Sequence, residues 1–313
     1  MNIFGAVFLL FWLLCGTASA VDTPEEAAQK AYLANINALM VFTSKEGLNS
    51  GQYEFTRANT TMKILHLPFR YHFDPFKPGW NLFLIGGVGY SETVMTTDVN
   101  ATPTATGDIT LTTKNMLQTF TGGIGGGVRY RSDTGLEALG GIELIYSRVG
   151  VTNRDDNDAG EVVKDFFKGQ YNDNLSYKFF VIGEYHRNFD GFQPYVTLSY
   201  ELYETKSAIN VRELSKFTTQ TSVTSFSVGA ETPPLLYAGT DYLSLEGYLR
   251  GSYLGGDITH VVGFDGYGTV GGLAYWYVPE TMNYIRRFYL EFSTIQADGL
   301  RGYNIGLGLS LDY

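Results

Sequence analysis

Separate stretches of this chain alternate between two kinds of face every second residue, and the charges obey the alternation. In 284–296, Phe288, Leu290 and Phe292 oppose Arg287, Tyr289, Glu291 and Ser293. In 241–253, Leu243, Leu245 and Leu249 share a face with Gly247, Gly251 and Tyr253, while Tyr242, Ser244, Glu246, Tyr248, Arg250 and Ser252 occupy the other. In 192–204, Val196, Leu198, Tyr200 and Leu202 oppose Tyr195, Thr197, Ser199, Glu201 and Tyr203. A β-strand turns successive side chains to opposite sides, so each stretch is a strand with one apolar and one polar face. A Lys or Arg facing hydrocarbon at a bilayer midplane costs about 2–4 kcal/mol. If such strands cross a membrane, their charged face must therefore line the inside of a closed barrel.

The composition suits that reading. After residue 20 no run of eighteen apolar residues occurs, which excludes a transmembrane helix. Mean hydropathy is near zero, as it is for barrels, where interior residues dilute the lipid-facing ones. The 37 Gly, 23 Tyr and 21 Phe fit a barrel better than a soluble domain. The net charge of −10 argues against nucleic acid or an anionic membrane surface as a partner.

Turn chemistry divides the chain into strands at about 60–73, 80–97, 113–131, 136–149, 173–189, 192–206, 217–231, 241–254, 267–278, 284–296 and 302–313. Short turns fall at 74–79, 132–135, 190–191, around Pro233-Pro234 and around Pro279-Glu280. Longer polar loops fall at 98–112, 150–172, 207–216, 254–266 and 297–301. Short and long connections alternate, as in bacterial barrels with short periplasmic turns and long outer loops. Eleven strands are one short of an even number, and residues 32–44 supply the twelfth. The expected fold is an all-β transmembrane antiparallel barrel of about twelve strands.

The face opposite the apolar one carries Glu137, Glu143, Glu184, Glu201, Glu246 and Glu291 with His66, Arg70, Arg129, Arg131, Lys178, His186, Arg250 and Arg287. Arg129, Glu143, Glu184, Glu201, Glu246, Arg250, Arg287 and Glu291 are the expected lumen-lining set. Interleaved signs make cross-strand pairing the ordinary role, and a polar conduit or a socket for a plug the sharper one. Glycines cluster inside strands, as at Gly86-Gly87, Gly122-Gly123, Gly125-Gly126-Gly127, Gly140-Gly141 and Gly271-Gly272. Glycine weakens strands, so these need a reason: curvature, or room inside the pore. None precedes Lys-Ser/Thr, which removes a phosphate-loop reading.

Residues 3–14 are apolar and Ala18-Ser19-Ala20 is a small-x-small site, so 1–20 is expected to be a secretory signal cleaved after Ala20. Cys15 is the only cysteine, and Leu14 before it departs from a lipidation site. In 21–31, Thr23 can cap a helix, Pro24 suits its first position, and Glu25 and Glu26 suit its positive end. A short helix is expected there, with 32–313 the barrel.

At the other end, Tyr303, Ile305, Leu307, Leu309, Leu311 and Tyr313 fall on one face of a last strand. That pattern resembles the C-terminal signal read by the outer-membrane β-barrel assembly machinery of Gram-negative bacteria. Export signal, short helix, about twelve strands and this last strand together resemble the translocator domain of autotransporters. In that family a helix passes through a twelve-stranded barrel to a secreted passenger. Here only about a dozen residues separate Ala20 from the first expected strand, so the resemblance is to a solitary barrel without a passenger. It implies an outer-membrane location, with lipid and lipopolysaccharide, the assembly machinery and periplasmic chaperones as partners. Arg129, Glu246, Arg250, Arg287 and Glu291 are the residues at issue for contact with a plug.

Enzyme readings find little support in the residues. His66, His72, His186 and His260 lie in no His-x-Ser-Asn context of the outer-membrane phospholipases, and His260 with Asp257 is a thin candidate for a rim hydrolase. No metal-ligand spacing occurs, and the acidic segment 155–161 lacks the spacing of a calcium loop. The expectation is a non-catalytic barrel without cofactor, structural or pore-forming. An open porin-like channel for small polar solutes is the alternative, and a surface hydrolase the weaker one.

Overall fold

The computed structural model describes residues 48–56, 59–104, 107–153, 172–207, 218–278 and 285–311. Thirteen strands run in chain order: β1 Leu48–Phe55, β2 Thr60–His72, β3 Trp80–Thr104, β4 Gly107–Arg131, β5 Leu136–Asn153, β6 Asn172–His186, β7 Gln193–Ser207, β8 Thr218–Glu231, β9 Leu236–Ala238, β10 Asp241–Gly256, β11 Gly266–Tyr277, β12 Ile285–Ala297 and β13 Leu300–Leu311. Among the described residues one short helix, α1 (Asp257–Val262), follows β10. Every pairing is antiparallel between neighbours, and β1 pairs with β13, closing a twelve-stranded barrel. The three-residue β9 pairs only with β10, at the turn end, and lies outside the ring.

Eleven of the expected strands match within a few residues, apart from the β3–β4 hairpin, which is longer. The ring closes on Leu48–Phe55 instead of 32–44, which lie outside the described residues, as do the helix expected at 21–31 and the acidic segment 155–161. The closing strand escaped detection because its parity is inverted. Tyr53 and Phe55 point inward, while Ser50, Gln52 and Glu54 point outward. Two expected loops are also shorter. β3 and β4 continue through most of 98–112, paired as far as Thr104 with Gly107. Thr-rich sequence favours strand even where neither face needs to be apolar. The link between β12 and β13 is the two residues Asp298 and Gly299, the glycine at φ +88°.

The outward face sorts by height. Between the ends lie Leu67, Val88, Ile124, Ile142, Val181, Leu198, Leu249, Val270, Leu290 and Leu307, all well exposed. Two aromatic girdles bound them. At the turn end stand Tyr71, Trp80, Tyr130, Tyr185 and Trp276, with the Trp80 and Tyr130 rings 4.8 Å apart. At the other stand Tyr90, Phe120, Tyr146, Tyr177, Phe292 and Tyr303, with Tyr90 and Phe120 5.0 Å apart. From Phe120 to Tyr130 along a strand tilted by about 40° is roughly 25 Å of height, the thickness of a barrel's apolar band. Among the described residues no charged side chain faces outward between the girdles. Beyond the upper girdle the outward positions turn polar: Lys63, Glu92, Gln118, an Arg148–Asp173 pair at 2.7 Å and a Lys206–Glu204 pair at 2.8 Å.

The strand glycines have a steric reason. Inward-facing glycines accept aromatic rings reaching across from the next strand. Gly229 lies under Tyr195, Gly271 under Tyr248, Gly308 under Tyr289, Gly127 under Phe83 and Gly141 under Phe180; a Cβ at each would come within 2.8 Å of the ring. The room the glycines leave is filled by the barrel's own rings, the device by which aromatics compensate glycine in strands. Valine at an exposed strand position normally favours β structure. At Gly271 it meets the Tyr248 ring 2.3 Å from its Cβ, so G271V is expected to destabilise the folded barrel by about 1–3 kcal/mol, as overpacking does. Denaturant titration in lipid vesicles measures this, and adding Y248A is expected to recover part of the loss.

Candidate functional site: the lumen

The lumen has two halves of different chemistry. In the half nearer the short turns, charges are held by tyrosines, and one arrangement repeats. Tyr195 on β7 lies across Gly229 on β8 and its hydroxyl donates to Glu246 on β10 at 2.5 Å. Tyr248 on β10 lies across Gly271 on β11 and donates to Glu291 on β12, also at 2.5 Å. The register is the same both times: the glutamate sits two residues before the position level with the tyrosine and glycine. Each brace ties three strands, with the glycine as the passage. Tyr275 gives Glu246 a second hydrogen bond at 2.8 Å.

Glu231 and Glu246 stand directly opposite on β8 and β10. Like charges in that position repel. Donors offset the repulsion: Ser244 at 2.5 Å and Tyr277 at 2.8 Å on Glu231, with the Arg287 guanidinium 3.6 Å away. Arg287 also donates to the Tyr277 hydroxyl at 2.7 Å and stacks 4.1 Å above the Tyr275 ring. Arg250 donates to Ser227 at 3.1 Å. Glu246 and Arg250, and Arg287 and Glu291, share a strand face as the sequence implied, but the hydrogen bonds described here join them to other strands.

On the other wall, Lys178 stands level with Glu143 and forms an ion pair with Glu201 at 3.2 Å. It also lies 5.5 Å above the Phe180 ring and 5.4 Å from that of Tyr203, whose hydroxyl donates to Glu201. The Glu143 carboxylate occupies the space over Gly123. Glu184 accepts from Thr197 at 3.3 Å, with His186 3.8 Å away. Arg129 grips Glu137 with two bonds of 2.8 and 2.6 Å. Sequence reasoning passed over Glu231 and gave the tyrosines no role. Their parity was the available signal: Tyr195, Tyr203, Tyr248, Tyr275 and Tyr277 all stand on the charged face.

The outer half combines an apolar cluster with buried hydroxyl side chains, among them Ser91, Thr119, Ser147, Ser176, Thr205 and Thr221. Tyr53, Phe55, Met62, Ile64, Leu117, Val149, Tyr203, Val223, Leu254, Ile295 and Leu300, from strands all round the ring, form one buried cluster with Ile258, Val262 and Phe264 of the β10–β11 connection. Phe264 stacks on Phe55 with ring centres 6.4 Å apart. Helix α1 thus turns inward at the mouth and packs into the cluster. Gly256 enters it at φ +82° and Gly263 leaves it at φ +77° as a left-handed C-cap. Asp257 accepts the Gln220 amide N–H at 2.8 Å, tying α1 to β8. That engages the acid considered as a partner for His260, which lies in the same helix. Among the described residues no three His, Cys, Asp or Glu side chains group closely enough to hold a metal ion.

Of the residues of the last strand, Tyr303, Ile305, Leu307 and Leu309 face outward beside β12 and β1. Leu311 ends the strand, and Tyr313 lies outside the described residues.

No protein-family model matches the chain, and no curated protein matches it in sequence. Solved structures do match in fold. The translocator domain of the autotransporter NalP from Neisseria meningitidis aligns with a TM-score of 0.60 at 9% identity, over 93% of this chain and 100% of that one. The beta domain of the Bordetella autotransporter BrkA gives 0.54 at 10% identity, over 84% and 96%. The transport unit of AIDA-I from Escherichia coli gives 0.52 at 11% identity, over 93% and 100%.

Removing either hydroxyl or carboxylate of a tyrosine brace is expected to weaken the barrel measurably. A hydrogen bond to a charged group contributes about 1.5–3 kcal/mol. A double-mutant cycle of Y195F and E246Q on vesicle-embedded protein is expected to give a coupling energy of about 1 kcal/mol or more, and a value near zero would mean the brace is incidental. The chain folds as a closed twelve-stranded antiparallel β-barrel, similar in fold to autotransporter translocator domains.

Proposed function

We propose that this protein is an integral outer-membrane barrel of a Gram-negative bacterium, closed at its outer mouth, structural and non-catalytic. The observation that carries the reading is the apolar cluster in the outer half of the lumen, in which Ile258, Val262 and Phe264 of the β10–β11 connection are buried with side chains of the barrel wall. A constriction lined by packed apolar side chains opposes the passage of water and ions, so a mouth narrowed in this way is read as non-conducting. The alternating outward band, its girdles and the export signal expected at 1–20 support the outer membrane as its place. In this reading the outward residues Tyr303, Ile305, Leu307 and Leu309 engage the assembly machinery during insertion, after periplasmic chaperones have kept the chain unaggregated. The polar collar above the upper girdle, including Lys63 and Arg148, meets lipopolysaccharide headgroups.

The expected result in planar bilayers is negligible single-channel conductance for the intact mature chain. Replacing 257–265 with a short Gly-Ser turn is expected to open a conducting state. Steady conductance in the intact chain would instead support the porin-like alternative. Conductance that appears only on removing 21–31 would move the plug to the N-terminal segment.

A further inference from the structure

We propose that helix α1 is a displaceable gate, seated in the outer mouth and held there by a latch between Asp257 and the β8 backbone. The proposal rests on the closed-mouth reading and adds that the closure is reversible. Both ends of the helix turn on glycines in the left-handed region, Gly256 at φ +82° and Gly263 at φ +77°. A Cβ at Gly256 would stand 2.2 Å from the Gln220 carbonyl oxygen, so the chain makes this entry only with glycine. The base of the connection is clamped, with the Leu254 N–H donating to the Asp265 carbonyl at 2.7 Å. Between the clamped residues runs a helix of six residues. A helix that short does not hold its form alone, so α1 is helical because of its seat. An exposed contact ties its first turn to the wall: the Asp257 carboxylate accepts the Gln220 N–H at 2.8 Å.

The seat sets two terms against each other. Ile258, Val262 and Phe264 gain by burial in the apolar cluster. Around them the wall carries polar atoms that the seated helix does not satisfy. The hydroxyls of Ser91, Ser147 and Thr221 are buried and have no hydrogen-bond partner among the described residues. All three border the cluster. Ser91 stands level with Ile64, and Ser147 precedes Val149 on the inward face of β5. Thr221 stands level with Tyr203 and with Gly256, where the chain enters α1. A buried hydroxyl without a partner costs free energy that hydration returns. Displacing α1 exposes apolar side chains but wets hydroxyls on β3, β5 and β8. Opposed terms of this kind bring two states close in free energy, and glycines at both ends supply the hinges. The latch then biases the pair toward the seated state. With α1 out, the hydroxyl-bearing wall of the outer half is open to small polar solutes.

Cysteine labelling of the full mature chain in vesicles tests this, with the outer mouth facing the bath. The mature chain is expected to have no cysteine, so V262C, close to its valine in volume, reports exposure of a buried face of α1. The probe is a maleimide on a polyethylene glycol chain too bulky to enter beside a seated helix. S293C, whose serine is fully buried deeper in the lumen, reports unfolding of the barrel instead. The expected result is slow labelling of V262C in the folded barrel, well ahead of S293C. Adding D257A is expected to raise the V262C rate about tenfold or more, as loss of a hydrogen bond to a charged group does, and to leave S293C unchanged. Heat-modifiable gel mobility reports that each variant folds. Labelling of V262C no faster than that of S293C would overturn the proposal and leave the mouth permanently plugged, as would equal V262C rates with and without D257A overturn the latch. Immediate labelling of V262C together with steady conductance would sink the closed-mouth reading itself, and the gate with it.

Discussion

Closure of the sheet is the constraint on which the rest depends. Inside a bilayer no water is available to backbone N–H and C=O groups, so a sheet with free edges is excluded and every strand needs two neighbours. The pairing of Leu48–Phe55 with Leu300–Leu307 supplies the last of these contacts. It is made by a strand of eight residues, the shortest in the ring, against partners of twelve and thirteen. Its Tyr53 is fully buried against Gly302 and bonded to Asn304 of β13, so an inward side chain reinforces the seam that the backbone makes.

Once the ring is closed, the interior must be filled or wetted, and this chain does one at each end. The outer half holds an apolar cluster among buried serines and threonines, including a helix that turns in at the mouth. The inner half keeps its charges, which are carried on strands that twist and shear past one another. Tyrosine is suited to bridging them. Its ring has the length to cross a neighbouring strand, its face packs on glycine, and its hydroxyl reaches a carboxylate on the strand beyond. Glycine and tyrosine abundance, which looked like two separate peculiarities of composition, are two halves of the same joint.

Much of the barrel was legible because the period-two pattern carries it directly. Phe288, Leu290 and Phe292 against Arg287 and Glu291 allow one assignment of faces, and the charge cost at the midplane fixes which face is inside. The failures share a physical cause. The β1 strand and the extended β3–β4 hairpin lie partly beyond the apolar band, where outward residues need not be apolar, so Gln52, Glu54 and the threonines of 96–113 gave no membrane signature. The lumen partners were hidden for another reason. Pairing across a barrel depends on the register of three successive strands. The four-residue spacing of Glu246 and Arg250 marks a shared face but says nothing of Tyr195, fifty-one residues away. The inward fold of 257–262 was legible only as a loop, since six residues of mixed character carry no helical period.

The most direct test of the account is the seam itself. The mature chain is expected to have no cysteine, so a pair introduced at Ser50 and Ile305, which face each other in register on the outward side, reports the closing contact alone. The account predicts that S50C/I305C cross-links on mild oxidation in the folded, membrane-embedded protein and not in denatured chain, while S50C with L309C, four residues out of register, does not. Cross-linking of β13 to a cysteine placed within 32–44, in preference to one at Ser50, would contradict it and move the closing strand upstream.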